Sequence, residues 1–291
     1  MARPFRFGVN MTTACGGAEW RERCGRAEEL GYDVILVPDH LGMVAPFPAL
    51  AAAAEATERA RLGTFVLNAA FWNPALLARE IATVDALSGG RLELGIGAGY
   101  VREEHERAGL AFLPPGERVD LLGRTVAEVD RLLGDAAHVP RPVQRPMPPL
   151  LIGGNGDRVL RLAAERAAIT AFTGARHTAE GLRALTAGEL AERVAAYRGF
   201  EAGRPAPAEL NLLLQFVAVT RDRRAAVREL LPRVRLGEDE ALELPLLAVG
   251  TVRQIADQLG AQRERYGFTY LTVLDPCMET FGPVIEELRG G

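Results

Sequence analysis

The stretch Val34-Ile-Leu-Val-Pro-Asp-His40 contains a short, continuously apolar run that ends in a proline, an acid and a histidine. An apolar run without polar alternation is typical of a strand that is buried on both faces of a parallel sheet. In folds built on such sheets, the residues after the carboxyl ends of the strands form the active site. The sequence therefore predicts a buried strand, Val34–Asp39, and a functional position at Asp39 and His40.

Seven further strand candidates alternate with helical patterns along the 291 residues. They are Phe7–Asn10, Leu62–Asn68, Arg91–Gly97, Leu150–Gly153, Ala168–Thr173, Leu210–Thr220 and Tyr270–Asp275. Eight strands that alternate with helices predict an α/β fold, a (β/α)8 TIM barrel that forms a single domain over residues 1–291. A doubly wound sheet gives a similar local pattern and is the alternative.

Local signals place three of the intervening helices. Apolar residues spaced three and four apart predict a helix over Glu117–Leu133. The pair Asn73-Pro74 combines a capping side chain with a proline at the first helical position, and Thr251 opens another helix. The proline-rich stretch Val139–Pro149 is expected to be an extended excursion between the fourth helix and the fifth strand.

The composition excludes several classes of protein. All 34 basic residues are arginine, which excludes enzymes that need a lysine amine and P-loop NTPases. The four histidines and three cysteines lack metal-ligand spacing, so no metal site is expected. The formal net charge is −4, and the arginine-rich run Arg221–Arg235 is interleaved with acids and apolar residues. That run predicts a solvated amphipathic helix, not a nucleic-acid partner.

No segment has the pattern of a signal peptide, and no apolar stretch is long enough to span a bilayer. The sequence therefore predicts a cytoplasmic protein without a membrane partner.

Two glycine-rich segments follow other predicted strands. Gly95-Ile-Gly-Ala-Gly99-Tyr100 places its glycines on one face, which is expected to form a floor that a flat ligand can approach. Ile152-Gly-Gly-Asn-Gly156 leads into a helix whose free N–H groups favour a phosphate, although a plain tight turn explains it equally well. Arg158 and Arg161 are candidates to hold an anionic tail there. The fourth strand lacks the carboxylate that a glycosidase would need.

Taken in order, these segments resemble the luciferase-like monooxygenase superfamily, and most closely its branch that depends on the deazaflavin coenzyme F420. The resemblance extends over nearly the whole chain, and its most characteristic segment is Leu87-Ser-Gly-Gly-Arg-Leu-Glu-Leu-Gly-Ile-Gly-Ala-Gly99. The supporting segments are Glu28-Glu-Leu-Gly-Tyr-Asp33, Val37-Pro-Asp-His40, Arg61-Leu-Gly-Thr-Phe-Val-Leu-Asn68, Asn73-Pro-Ala-Leu-Leu-Ala-Arg-Glu80, Pro149-Leu-Leu-Ile-Gly-Gly154 and Val249-Gly-Thr251.

The resemblance implies a luciferase-like barrel that holds coenzyme F420, or FMN as the alternative, at the carboxyl ends of its strands. It implies that His40 and Asp39 are catalytic, with His40 as the acid or base, and that the peptide Phe65-Val66 is cis behind the ring. The residues that it assigns to the cofactor are Asp39, Phe65, Val66, Asn68, Gly97, Gly99, Tyr100, Gly153, Gly154, Asn155 and Gly156.

The chain departs from the sugar-phosphate dehydrogenases of this branch. Their aromatic residue four positions after the histidine is Val44 here, and their glutamate after the strand-four glycines is Tyr100. Their substrate-phosphate lysines have no counterpart in a chain without lysine. The resemblance thus argues against glucose 6-phosphate as the substrate, and Glu103 and Glu104 are candidates to replace the missing acid.

The function that the resemblance implies is hydride transfer between coenzyme F420 and a small organic substrate, in a cytoplasmic homodimer. An FMN-dependent monooxygenase that uses reduced flavin and O2 is the nearest alternative. A barrel that binds flavin without catalysis is another, against which the Asp39-His40 pair weighs. A hydrolase without a metal is the last, and the missing acid pair disfavours it.

Overall fold

Eight parallel strands close into a barrel that is surrounded by helices, as the sequence predicts. The computed structural model describes residues 3–178, 181–231 and 236–290. Its strands are β1 (Arg6–Asn10), β2 (Val34–Val37), β3 (Arg61–Thr64), β4 (Leu67–Asn68), β5 (Leu92–Gly97), β6 (Leu150–Gly153), β7 (Ile169–Phe172), β8 (Ala175–Thr178), β9 (Gly181–Ala184), β10 (Glu209–Leu214), β11 (Phe216–Val219), β12 (Leu247–Gly250) and β13 (Phe268–Leu274).

The barrel is closed by pairing of β3 with β5, which excludes the open doubly wound sheet. Its members are β1, β2, β5, β6, β7, β10, β13 and one strand that β3 and β4 form together. Strands β8 and β9 form an antiparallel hairpin outside it, which the sequence patterns do not predict.

Helices connect the barrel strands. They span Gly17–Glu29, Pro46–Ala56, Pro74–Leu87, Arg102–Arg107, Pro115–Gly134, Asp157–Arg166, Ala187–Glu201, Arg223–Arg228, Glu238–Leu242, Val252–Tyr266 and Met278–Gly290, with short 3-10 helices at Ala69–Phe71 and Asp275–Cys277. The predicted starts are confirmed, because the Asn73 side chain accepts the N–H groups of Ala75 and Leu76, and Thr251 forms a capping box with Gln254. Among the described residues, no helix is long and apolar enough to cross a bilayer.

The single strand predicted over Leu210–Thr220 is wrong. The barrel strand β10 ends at Leu214, whereas β11 leaves the barrel and pairs in parallel with β12. Gln215 lies at the break and donates its N–H to the Leu246 carbonyl at 2.9 Å. A continuous apolar run reports burial and not the identity of the partner strand, so the pattern could not reveal the break.

Two other predicted segments have different outcomes. Residues 135–149 form no helix or strand and connect the helix Pro115–Gly134 to β6, as expected of the proline-rich stretch Val139–Pro149. The helix predicted over Arg221–Arg235 is shorter in the structure, where it spans Arg223–Arg228, and residues 232–235 lie outside the described part of the chain.

The amino end of the barrel is closed by an ion-pair network. The Nη1 and Nη2 atoms of Arg6 each donate to the carboxylate of Glu93 at 3.0 Å, and Nε of Arg61 donates to the same carboxylate at 2.6 Å. The Glu93 side chain is only 2% exposed. The Arg6 guanidinium also lies over the ring of Tyr270, 4.3 Å from its centroid. These contacts seal one end and leave the other end for a cavity.

Candidate functional site

A cavity of about 480 Å³ opens at the carboxyl ends of the barrel strands. Its lining includes every residue that the family resemblance assigns to His40–Asp39 catalysis or to cofactor binding: Asp39, His40, Phe65, Val66, Asn68, Gly97, Gly99, Tyr100, Gly153, Gly154, Asn155 and Gly156. The barrel therefore brings together segments that lie more than 100 residues apart in the chain.

Asp39 holds the loop that follows β4. Its Oδ2 accepts hydrogen bonds from the backbone N–H of Asn68 at 3.1 Å and from the indole Nε1 of Trp72 at 2.8 Å. Burial raises the pKa of Asp39, although these two donors oppose the shift. The contacts indicate that this carboxylate positions its neighbours, because one of its oxygens is already occupied.

His40 is paired with a glutamate of the helix Arg102–Arg107. Its Nδ1 lies 2.8 Å from Oε1 of Glu104, and both side chains line the cavity. The Tyr100 ring meets the imidazole edge-on at a centroid distance of 5.7 Å. Of the two candidate acids, Glu104 thus reaches the site, whereas Glu103 is exposed and outside the cavity lining.

Another histidine, on the helix Arg102–Arg107, supports the wall of the cavity. The sequence analysis did not identify it as a site residue. His105 is fully buried, and its Nδ1 donates to the Val101 carbonyl at 2.9 Å. The Nδ2 atom of Asn68 lies 3.4 Å from Nε2 of His105. The four-residue spacing of Val101 and His105 is one helical turn, but nothing in the sequence distinguishes such a histidine from a surface one.

The cis peptide implied at Phe65-Val66 is confirmed, and it lies between β3 and β4. The Val66 side chain occupies the face that Gly95 and Gly97 of β5 leave open. A Cβ atom at Gly97 would lie 2.9 Å from Val66 Cγ2, and one at Gly95 would lie 1.9 Å from the Thr64 carbonyl oxygen. The side-chain-free faces of Gly95 and Gly97 thus make room for the protein's own chain, while Gly97 still lines the cavity and Gly95 does not.

Gly99 has a different role in the same segment. Its φ is +69°, and a Cβ atom there would lie 2.3 Å from Oδ1 of Asn68. Both the backbone conformation and the close approach of the amide require glycine at this position.

The turn after β6 leads directly into a helix N-terminus. The N–H of Gly154 donates to the Ala171 carbonyl. Nδ2 of Asn155 donates to Thr173 Oγ1 and to the Ala175 carbonyl. The helix Asp157–Arg166, by contrast, begins without a side-chain cap at Gly156. Its first N–H groups thus remain available at the cavity wall.

The two arginines expected to hold an anionic tail have partners elsewhere. Arg158 pairs with Asp120, and the Arg161 guanidinium lies over the Phe200 ring, 4.6 Å from its centroid. These contacts disagree with the expectation, because both cations are already occupied.

Asn10 at the end of β1 is a further cavity residue that sequence reasoning missed. It is 5% exposed, and its Oδ1 atom is buried without a hydrogen-bond partner. The apolar side chains of Leu213, Leu274 and Met43 line the same cavity. No group of metal-ligating side chains large enough to hold a metal ion is found in the described part of the chain.

The sequence is similar to those of known proteins. A profile described as luciferase-like monooxygenase matches residues 2–239. An F420-dependent glucose-6-phosphate dehydrogenase of Intrasporangium calvum is 42% identical over 98 residues, which cover 31% of this chain and 29% of that protein. The oxygenase component of a flavin-dependent trigonelline monooxygenase of Acinetobacter baylyi is 33% identical over 153 residues, 46% of this chain and 42% of that protein. The matched regions thus span less than half of the length of these two relatives.

The fold was compared with solved structures. The coenzyme F420 dependent tetrahydromethanopterin reductase of Methanopyrus kandleri superposes with a TM-score of 0.78 at 17% identity, over 98% of this chain and 100% of the other. At that identity, the likeness concerns the fold. Together with the profile match over most of the sequence, it shows that the chain belongs to the luciferase-like monooxygenase family.

Proposed function

We propose that the protein is an oxidoreductase that transfers a hydride between coenzyme F420 and a small organic substrate. The observation that carries the proposal is the arrangement of the cavity, in which the His40–Glu104 pair and an uncapped helix N-terminus line the same space. Relatives named as F420-dependent dehydrogenases support it.

The cavity fits a flat, phosphate-bearing coenzyme. Its mostly apolar lining suits a ring system, and the unpartnered Oδ1 of Asn10 offers an acceptor to a ring N–H or a substrate O–H. The start of the helix at Gly156 suits a phosphate. Phe65, Val66, Asn68, Gly97, Gly99 and Tyr100 would hold the ring, and Gly153, Gly154, Asn155 and Gly156 would hold the phosphate.

When bound, coenzyme F420 accepts or returns a hydride at its ring, and the matching proton must leave or enter at the substrate. His40 lines the cavity and is the side chain best suited to carry that proton near neutral pH. Asp39 keeps the Asn68 backbone and Trp72 in place. The apolar side chains of the lining would limit the access of water to a bound substrate.

An equilibrium titration with F420 and with FMN tests the cofactor. Trp72 donates to the cavity residue Asp39, so a bound ring should quench its fluorescence. We expect micromolar affinity for F420 and weaker binding of FMN. Binding of FMN alone would support the second candidate, an FMN-dependent monooxygenase, which the similarity to the trigonelline monooxygenase component favours. Binding of neither contradicts the cofactor proposal.

The role of His40 is tested by His40→Ala, with a substrate first found in a panel of small alcohols, aldehydes and enones. Loss of the proton carrier should slow single-turnover hydride transfer by about 10²- to 10⁴-fold. The affinity for F420 should change little, because the imidazole is paired with Glu104 and belongs to the loop after β2, not to the proposed phosphate turn after β6. An unchanged rate would remove His40 from the mechanism.

We also propose that the chain forms a single barrel domain over residues 1–291 and works as a cytoplasmic homodimer. Its substrate would be a small molecule, and no nucleic-acid partner is expected. The net charge of −4 gives no general attraction to polyanions. Light scattering measures the oligomeric state, and a monomer at micromolar concentration would contradict the dimer.

A further inference from the structure

The contact between His40 and Glu104 fixes the position of one hydrogen. The two side chains are separated by 64 residues in the chain, yet Nδ1 and Oε1 lie 2.8 Å apart. Glu104 is 13% exposed and His40 is 29% exposed, so water competes only partly for the pair. An ionised carboxylate can only accept a hydrogen bond, so this contact with an ionised Glu104 requires the hydrogen on Nδ1 of the imidazole.

The other ring nitrogen is the one that remains for chemistry. Within the residues that the structure describes, no side chain or backbone group is hydrogen-bonded to Nε2 of His40. The hydrogen bond made by one imidazole nitrogen decides which form the other takes. With Nδ1–H directed to Glu104, a neutral His40 presents the lone pair of Nε2.

We propose that Glu104 is a positioning residue that fixes the tautomer and orientation of His40, so that Nε2 is the atom that exchanges a proton with the substrate. This role differs from replacement of the missing acid, because Glu104 acts through His40. The proposed proton exchange at Nε2 rests on the proposed function, whereas the proposed tautomer of His40 does not.

The helix geometry explains why Glu104, and not Glu103, has this role. Successive helical residues point about 100° apart, so only one of two adjacent glutamates can face His40. Glu103 is exposed and outside the cavity lining, although it carries the same charge on the same helix. Glu103→Gln is therefore a matched control for any change at Glu104.

The tautomer is measured by ¹⁵N NMR of the ligand-free protein at a pH where the imidazoles are neutral, with His40 assigned by its loss in His40→Gln. We expect Nδ1–H in the wild type, Glu104→Gln and Glu103→Gln, because a glutamine oxygen still accepts. Glu104→Ala should shift the population towards Nε2–H. Nε2–H in the wild type, or no change in Glu104→Ala, overturns the proposal.

Single-turnover rates test the consequence for catalysis. Glu104→Ala should slow hydride transfer at least about tenfold with unchanged F420 affinity, and Glu104→Gln should restore part of the rate. A wild-type rate in Glu104→Ala overturns the positioning role. Failure of the wild type to bind F420 would instead refute the proposed function, while the tautomer experiment keeps its own outcome.

Discussion

The two ends of the barrel differ in how their buried polar side chains are paired. At the amino end, Glu93 is buried and satisfied by Arg6 and Arg61. At the carboxyl end, Asn10 and Asn155 each keep a buried oxygen without a partner. Buried polar groups are normally hydrogen-bonded, so the unpartnered oxygens of Asn10 and Asn155 in the cavity lining indicate where a ligand is expected, whereas the unpartnered Nε of Arg6 lies within the ion-pair network of the amino end. The closed end stabilises the fold, and the open end keeps its hydrogen-bonding capacity for function.

The largest effect should follow from breaking the closed end with Glu93→Gln. Removing the charge leaves Arg6 and Arg61 without their carboxylate at a side chain that is 2% exposed. Loss of one partner of a buried ion pair destabilises a protein by about 3–5 kcal/mol. We therefore expect Glu93→Gln to lower the free energy of unfolding by about 3 kcal/mol, as measured by urea denaturation.

A surface pair provides the control for Glu93. Glu128 and Arg131 are exposed, so Glu128→Gln should leave the denaturation midpoint unchanged within error. Equal effects of the two substitutions would mean that the network at the amino end does not contribute more than an ordinary surface pair.

The open end is tested by Gly156→Asp. A Cβ atom at this position would meet no atom within 4 Å, and the backbone of Gly156 is extended, with φ −79° and ψ 145°. Aspartate should cap the helix and add a few tenths of a kcal/mol of stability. The same carboxylate would repel a phosphate about 4 Å away by roughly 4 kcal/mol before screening, which predicts a loss of F420 affinity of more than about a hundredfold.

Gly156→Asn separates the two effects of that change. Asparagine caps the helix without a charge and should bind F420 far better than the aspartate variant does. Normal affinity in Gly156→Asp would show that the turn after β6 is only a connection between a strand and a helix.

Between the two ends, Gly95 and Gly153 allow a paired test of the packing around Val66. A Cβ atom at Gly95 would lie 1.9 Å from a backbone oxygen, whereas one at Gly153 would meet Val66 Cγ1 at an ordinary 3.5 Å. We expect Gly95→Ala to lower the free energy of unfolding by about 1–3 kcal/mol and Gly153→Ala to change it much less. Comparable losses would contradict the close approach of the Thr64 backbone.

The sequence predicts the barrel well because eight apolar runs are sufficient to place its strands. It also places Asp39 and His40, since they directly follow such a run. It could not predict the contact of His40 with Glu104, because only the closed barrel brings residues 64 positions apart together. Charged residues near strand ends, such as Glu93, look like surface residues in a sequence, so the sealed amino end is also invisible there.

The glycines show a limit of a different kind. Their spacing correctly indicates that backbone or ligand atoms approach β5 closely, but it does not identify which. In the structure, the atoms that approach Gly95 and Gly97 belong to Thr64 and Val66. The cis peptide at Phe65-Val66 was implied by the family resemblance alone, because no local pattern signals it.

The smallest effect on stability is expected for Asn10→Leu at the open end. Leucine is close to asparagine in shape and removes a buried acceptor that has no partner, so the free energy of unfolding should stay equal or rise by up to about 1 kcal/mol. Ligand affinity should fall by about tenfold if a bound molecule donates to Oδ1, which the fluorescence titration measures. Asn211→Leu is the control, because Asn211 also has an unpartnered Oδ1 but lies outside the cavity lining and donates to Thr272 Oγ1 at 2.7 Å. It should lose stability and keep its affinity, and the reverse pattern would show that Asn10 serves the fold instead of the ligand.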